Sequence, residues 1–492
     1  MKKSVFNQDQ LGLFADAVPS GPPPISKSDF VAGWQCDKYF WFERHERGTK
    51  KLDAHTQYQM KEGQAVGKLA QKLFPDGEFE VTAEAKGVMA RADIVRRAGP
   101  DVNLWDLYEV KGSGYDPEKP YAEDRQEFLW DLALQVHAFE AAGKPIRKAH
   151  LVLVNSDYVR AGAVDPKAFF KVEDVTAAVR ERLAEVPAML AHFERVDTLK
   201  SVPVVEIGMH CKKPHDCPFQ VRCFPELENG HIFKLRMLWW KDKFKAYHSG
   251  IRRIVDYPSG GLDPWQAKQV QAEATGQPFI DKAAIGEFLA KLQYPLYHLD
   301  FETCNAAIPP FDGVKPFRQT VFQYSLHVQD APGAEPRHFE YLPAHRNDPR
   351  PEMLEKMLSE LGTRGSILAY YASFEMTRLK ELAEAFPQHK ARIDAVLARF
   401  QDLEKPFSNG HFVHPAFGGR TSIKVVLPTL VPEMSYDGMA VGEGTAAIRA
   451  YMEILDEATP EARREEIRGA LLAYCKQDTL AMVKILGVLE KL

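Results

Sequence analysis

The stretch "YPLYHLDFET", Tyr294 to Thr303, decides how the C-terminal half of this chain is read. Apolar residues lead into two acids separated by one position, which is the pattern of a buried strand ending in chemistry. Side chains on a strand alternate faces, so Asp300 and Glu302 share one face while Phe301 takes the other. Two carboxylates on a strand that starts in apolar residues need a partner, because an uncompensated buried charge is costly.

Partners are legible further along. "SILAYYASFEMTRLKELA", Ser366 to Ala383, reads as a strand passing into a helix, with Glu375 at the junction. "LLAYCKQDTLAMVKIL", Leu471 to Leu486, is periodic in apolar residues and reads as a helix. Its Tyr474 and Asp478 are four apart and share one helical face. Asp394 and Asp402 are weaker substitutes for Glu375. The alternative for Tyr474 and Asp478 is a plain polar helix face. In "FGGRTSIKVVLP", Phe417 to Pro428, Arg420, Ser422 and Lys424 beside a glycine pair suit phosphate contacts, and a solvated hairpin explains them as well.

Acid-x-acid on a strand, an acid at a strand–helix junction and Y-x₃-D on a late helix resemble, in this order, the DEDD exonucleases of the RNase H-like superfamily, in the subtype with a tyrosine. The resemblance implies that Asp300, Glu302, Glu375 and Asp478 hold two Mg²⁺ or Mn²⁺ ions and that Tyr474 orients the attacking water. Glu375 departs from the usual aspartate.

The N-terminal half carries a second acid set. "GVMARADIVRR" reads as a strand, "AGPDVN" as a turn and "LWDLYEVKGSG" as a second strand. Glu109 and Lys111 then point the same way, Val110 points to the other layer, and Asp93 comes alongside from the neighbouring strand. Two carboxylates and an ammonium around Mg²⁺ suit phosphodiester hydrolysis. Asp93, the "EVK" of Glu109–Lys111 and the helix "DLALQVHAFE" with Gln135 resemble the PD-(D/E)XK fold of RecB-like nucleases. Gln135 is followed by Phe139 where that family often has tyrosine. The segment "EGQAVGKLAQKLFP" lacks the family's early metal-binding histidine, and Glu84 is the candidate replacement.

Three cysteines sit at even spacing in "HCKKPHDCPFQVRC": Cys211, Cys217 and Cys223. Some RecB-like proteins, the CRISPR-adaptation exonucleases and AddB-type helicase-nucleases among them, pin an N-terminal cysteine to a C-terminal trio around an iron–sulfur cluster. The matching residue here is Cys36 in "WQCDKYFWF". The resemblance implies a 4Fe–4S cluster on Cys36, Cys211, Cys217 and Cys223, which would close a loop around the first domain. All-thiolate ligation also suits zinc, and plain buried cysteines are the bland alternative. His210 and His215 are spare ligands, while Cys304 and Cys475 are expected to pack as small apolar residues. The order "LDFET", "YASFE", "GGRTSIKVVLP", "AYCKQDTLAM" is similar to a largely uncharacterised bacterial family in which a RecB-like nuclease with a cysteine cluster precedes this RNase H-like domain.

Bulk properties frame these motifs. The 492 residues allow two or three domains; 45% are apolar and 27% charged, as in ordinary soluble protein. No apolar run approaches the roughly 20 residues a membrane span needs. The start "MKKSVFNQDQ" lacks the apolar region of a signal peptide, so a cytoplasmic location is expected. The net charge of −5 gives no support to nucleic-acid binding by the whole surface, which leaves local basic patches. The expected organisation is α/β: a flexible tail over 1–25, a RecB-like domain over 26–230, a basic helical bridge over 231–290 and an RNase H-like domain over 291–492.

In the bridge, Lys234, Arg236, Lys241, Lys243, Lys245, Arg252 and Arg253 interleave with Trp239, Trp240, Phe244 and Tyr247. Such a pattern can track a single strand, or can belong to an amphipathic helix that docks the two domains. In the tail, "QLGLF", Gln10 to Phe14, resembles the short peptide by which bacterial repair proteins dock on the sliding clamp. Its alternative is an apolar tail folded back on its own domain. Together these readings predict a metal-dependent nuclease acting on DNA ends, DNA being favoured over RNA. The rivals are a non-catalytic binding platform and a redox regulator that uses the cluster.

Overall fold

The computed structural model describes residues 22–46, 54–118, 125–436 and 438–492. Gln10–Phe14 lies outside the described residues. Period-two patterning builds the first sheet from β1 (Ile25–Ser26), β2 (Glu78–Ala85), β3 (Val88–Arg97), β4 (Trp105–Tyr115), β5 (Ile146–Asn155) and β6 (Phe170–Asp174). Its order is β1-β3-β4-β5-β6, with β2 beside β3. The helix Gln126–Ala141 covers one face, burying Leu129, Leu132, Ala133 and Phe139 against Val95 and Leu107. The helix Ala54–Gln71 covers the other, with Val66 and Ala70 against Ile94, Tyr108 and Val152. Each fully buried leucine or phenylalanine in these layers contributes about 2–3 kcal/mol.

A short ribbon of β7 (Phe279–Ile280) and β13 (Phe412–Val413) precedes and follows the second sheet in the chain. That sheet comprises β8 (Leu296–Cys304), β9 (Thr320–Gln329), β10 (Arg337–Tyr341), β11 (Ile367–Ala369) and β12 (Phe400–Asp402), in the order β10-β9-β8-β11-β12. β8, β9 and β10 are antiparallel, whereas β11 runs parallel to both β8 and β12. Parallel neighbours need crossovers, supplied by the helices Arg350–Glu360 and Ser373–Ala385. At the entry to β11, Gly365 (φ 86°) passes so close to β8 that a Cβ would lie 2.1 Å from the Pro295 carbonyl. Only glycine fits that approach.

The last helix, Glu461–Leu489, lies across β8 and β9. A polar seam fixes its rotation: the Thr479 hydroxyl bonds to Ser325 and to His327, each at 2.7 Å, and Gln323 donates to the Leu471 carbonyl at 2.9 Å. His327 pairs in register with His298 on one side and His338 on the other. Burial holds these imidazoles neutral, pushing His298 down to about 4, His327 to about 3 and His338 to about 4. The unfolded chain titrates near 6.5, so it alone gains protons as pH falls below that value. Stability is expected to drop from pH 6.5 towards 4, by about 2 kcal/mol at pH 5 from His298 alone. Denaturant midpoints at pH 7 and pH 5 check this, and a His298→Gln variant should flatten the acid flank.

The bridge is not one long amphipathic helix. It contains a helix of nine residues, Trp240–His248, set among single turns of tighter helix. The two sheet units also meet directly. Arg160 donates to the carbonyls of Pro309 and Pro310 at 2.6 and 2.7 Å, and Glu62 accepts the Ala307 N–H at 2.9 Å. "FGGRTSIKVVLP" forms no hairpin: Ile423–Leu430 is a helix whose Val426 and Leu427 are fully buried. Among the described residues, no helix is long and apolar enough to cross a membrane.

Candidate active site

β8 carries Asp300 and Glu302 to the edge of the last helix. Ligand atoms of Asp300, Glu302 and Cys475 lie within 4.8 Å of one another. Cys475 does not merely pack: its Sγ sits 3.6 Å from Asp300 Oδ2. Asp478 lies within electrostatic reach of both strand acids, and Glu375 approaches them from the start of its helix. Asp300 and Glu302 thus share one cluster with Cys475, and Asp478 and Glu375 stand outside that 4.8 Å group but within electrostatic reach of it.

That spot is short of positive charge. Burial, then the Asp478 and Glu302 charges, push Asp300 well above the usual carboxylate range. Glu302 is raised well above it by burial and Asp478. Burial and Asp402 push Glu375 up to about 8, and burial pushes Asp478 up to about 6. Lys424 is the cation that acts on Glu302 and Asp478; its Nζ bonds the Tyr474 hydroxyl at 3.1 Å. Glu375 Oε2 is buried and has no hydrogen-bond partner among the described residues. An orphaned carboxylate oxygen among repelling carboxylates is the donor set that fits a hard divalent cation.

Tyr474 is buried beside these acids, as its helical spacing predicts. Tyr436 was not anticipated, although its hydroxyl donates to Asp478 Oδ1 at 2.6 Å. Asp402 neighbours Glu375 but is engaged, accepting the Tyr371 and Glu404 N–H groups at 3.0 Å each. Asp394 is exposed and pairs with Lys390 at 2.7 Å, so it is no substitute for Glu375.

The first acid set has a different balance. Asp93 accepts the Val110 N–H at 2.8 Å, Lys111 bonds both Glu109 and Asp131 at 2.8 Å, and Gln135 donates to Glu109 at 2.8 Å. Lys27, 82 residues away, reaches Glu109 at 2.9 Å and Asp131 at 3.3 Å. Burial alone would raise Glu109, yet Lys111 and Lys27 hold it well below the usual carboxylate range. Burial and the Glu109 charge push Asp93 up to about 7. Lys27 and Asp131 escaped sequence reading, though Asp131 sits four before Gln135 on the same helix face. Glu84 is exposed, pairs with Met89 on the β2 edge, and joins none of these contacts.

Cys36, Cys211, Cys217 and Cys223 line one pocket and lie within electrostatic reach of one another. Cys36 is the extended link between the helices Lys27–Gln35 and Asp37–His45. Gln35 ties that corner to the trio by donating to the carbonyls of His210 and His215 at 2.7 and 2.8 Å. Burial pushes Cys217 up to about 11 and raises Cys36 and Cys211, so thiolates here require a cationic guest. No three of these sulfurs lie within 4.8 Å of one another, whereas that clustering is met at Asp300. His210 borders the pocket, while the His215 ring turns to Glu127 at 3.5 Å. Cys304 is buried among apolar side chains, as expected.

Comparison with known proteins bears on the second acid set. Residues 297–422 match a family model described as a domain of unknown function, DUF2779. That segment includes Asp300, Glu302 and Glu375 and ends before Tyr474 and Asp478. The chain is 28% identical over 236 residues to the uncharacterized protein UU173 of Ureaplasma parvum, covering 43% of this chain and 34% of that protein. It is 26% identical over 295 residues to the MG366 homolog of Mycoplasma pneumoniae, covering 52% and 44%. The chain thus spans less than half the length of these curated relatives.

Proposed function

We propose that this protein is a divalent-metal-dependent nuclease whose principal active centre is Asp300, Glu302, Glu375 and Asp478. The observation that carries this reading is the gathering of mutually repelling acids, Glu302, Glu375 and Asp478 buried and Asp300 half-buried, with an orphaned oxygen on Glu375. The sheet order, with three antiparallel strands followed by two parallel ones, supports the RNase H-like reading of this half. Two Mg²⁺ or Mn²⁺ ions held there would stabilise the attacking and leaving oxygens of a phosphodiester. The chain's own residues do the rest. Tyr436 fixes one oxygen of Asp478, Cys475 backs Asp300, and Lys424 holds the Tyr474 hydroxyl where it can orient a water. End-labelled single- and double-stranded DNA and RNA, incubated with Mg²⁺ or Mn²⁺, test the activity. Absence of cleavage on every substrate sinks it.

In this reading the first unit is a RecB-like domain stapled by a 4Fe–4S cluster on Cys36, Cys211, Cys217 and Cys223. Zinc is the alternative guest for this all-thiolate set. The DNA-end substrate, the clamp-binding peptide Gln10–Phe14 and a cytoplasmic setting stay with this proposal.

A second reading holds for the first acid set alone: it is a charge-compensated binding site. Lys27 and Lys111 already satisfy Glu109 and Asp131. Replacing the clamp with Lys27→Met is expected to raise Mn²⁺ affinity there about tenfold, since one opposing charge is removed. Calorimetric Mn²⁺ titration in an Asp300→Asn background measures it. Unchanged affinity means that Lys27 does not compete with metal.

A further inference from the structure

A groove separates the bridge from the second sheet unit. Lys234, Arg236, Met237 and Lys243 form one wall; Tyr371, Arg420 and Ser422 form the other. At Gly419 a Cβ would lie 2.4 Å from the Lys234 carbonyl, so the two walls are pressed together at the base and cannot slide freely. Arg236 reinforces that junction by donating to the Gly419 carbonyl at 3.2 Å.

Two properties mark the groove as more than a seam. Lys234, Arg236, Lys243 and Arg420 form no ion pair among the described residues. The lining's one acid, Glu404, accepts the Thr421 hydroxyl at 2.6 Å and keeps its charge, which acts on Arg236. Glu273 acts on Lys234, and Glu404 and Asp263 on Arg236, at a distance and without direct pairing, so the four cations outnumber the acid in the lining and form a receptor for a polyanion. The rims also carry exposed apolar side chains on strained backbone. Tyr371 (φ 67°) is 60% exposed and Met237 (φ 54°) is 76% exposed. Left-handed backbone is unfavourable for both residues, and neither is offset by burial. An aromatic face held out into a cationic groove is a stacking platform for an unpaired base.

The groove leads to the acids. The Tyr371 N–H bonds Asp402, the neighbour of Glu375, and Ser422 precedes the helix whose Lys424 reaches Tyr474. We propose that this groove binds the end of a single-stranded nucleic acid, with phosphates on Lys234, Arg236 and Arg420 and a base stacked on Tyr371. The assignment deepens the nuclease reading and rests on it for the direction of the strand. A duplex does not satisfy the groove, because its base faces are already stacked.

Anisotropy of labelled oligothymidine and oligouridine, measured in EDTA with the full-length Asp300→Asn protein, tests it. Lys234→Glu/Arg420→Glu is expected to weaken binding at least ~10-fold and to lower the salt slope by about 1.4, two lost contacts on a single strand. Tyr371→Gly relaxes the strained backbone, so it should keep or raise Tm while weakening binding ~5–10-fold at unchanged salt slope. Loss for either oligomer supports the groove, and the tighter one identifies the sugar. Wild-type affinity in both variants, or a duplex bound equally well with the same sensitivities, overturns it. EDTA silences hydrolysis, so a protein inactive in metal that still shows these losses contradicts the nuclease reading and leaves the groove standing. An active protein with unaltered affinities does the reverse.

Discussion

Asp300→Asn is expected to lower metal-dependent phosphodiester hydrolysis by about 10³-fold or more, while raising the Tm of the metal-free protein. The two effects have one cause. Burial and three neighbouring acids disfavour ionised Asp300, so the carboxylate that a metal needs is a liability without it. A group whose folded pKa is raised supports the fold while protonated and loses that support as pH climbs through its folded value. Asp478 at about 6 and Glu375 at about 8 set the window. From about pH 4 upward the metal-free wild type should lose stability that Mn²⁺ restores, the Asp478 share being lost by about pH 6 and the Glu375 share by about pH 8, and the asparagine variant should lose less. The gain is on the order of 1–2 kcal/mol, read as a Tm rise of a few degrees. A variant that is inactive and also less stable at pH 8 would argue for an ordinary structural acid.

Cys211→Ser should cost the first unit most of its cross-link. Cys36 and Cys211 are 175 positions apart, and the proposed centre on them would close that loop. Tethering a loop of this length removes about 4–5 kcal/mol of unfolded-state entropy. Its loss corresponds to about 10–20 °C in the melting of a unit this size. The wild-type protein is expected to be brown and to carry iron and acid-labile sulfide; the serine variant should be colourless and should melt earlier. The Mn²⁺-induced shift at the second acid set should persist, because it resides on a separate sheet. Colourless wild type with stoichiometric zinc would replace the cluster by a single ion. An unshifted melt in Cys211→Ser would remove the staple altogether.

Much of the second acid set was legible because its signals are local. Acid-x-acid on β8 and tyrosine-x₃-aspartate on the last helix follow from strand and helix periodicity, and the structure brings both to one place. What escaped lacks local pattern. Lys27 joins Glu109 across 82 residues, and Tyr436 reaches Asp478 from an irregular segment. Cys475 looked like filler because a buried thiol packs like a small apolar group until something polar faces it. A solvated hairpin was the alternative for Arg420, Ser422 and Lys424 beside the glycine pair, yet packing of Val426 and Leu427 with residues of the last helix goes with a helix over Ile423–Leu430. The bridge misled differently: its charges and aromatics are spaced like an amphipathic helix, but turns at Ile232–Lys234 and Ile254–Asp256 break it up and fold its ends back on each other.

The most direct measurement is Mn²⁺ titration followed by electron paramagnetic resonance, comparing wild type with Asp478→Asn. A centre built by Asp300, Glu302, Glu375 and Asp478 predicts a pair of spin-coupled ions in wild type and loss of that coupling in the variant. Wild-type protein that takes up no coupled Mn²⁺, or a variant with an identical spectrum, would contradict the assignment of these acids as a metal centre.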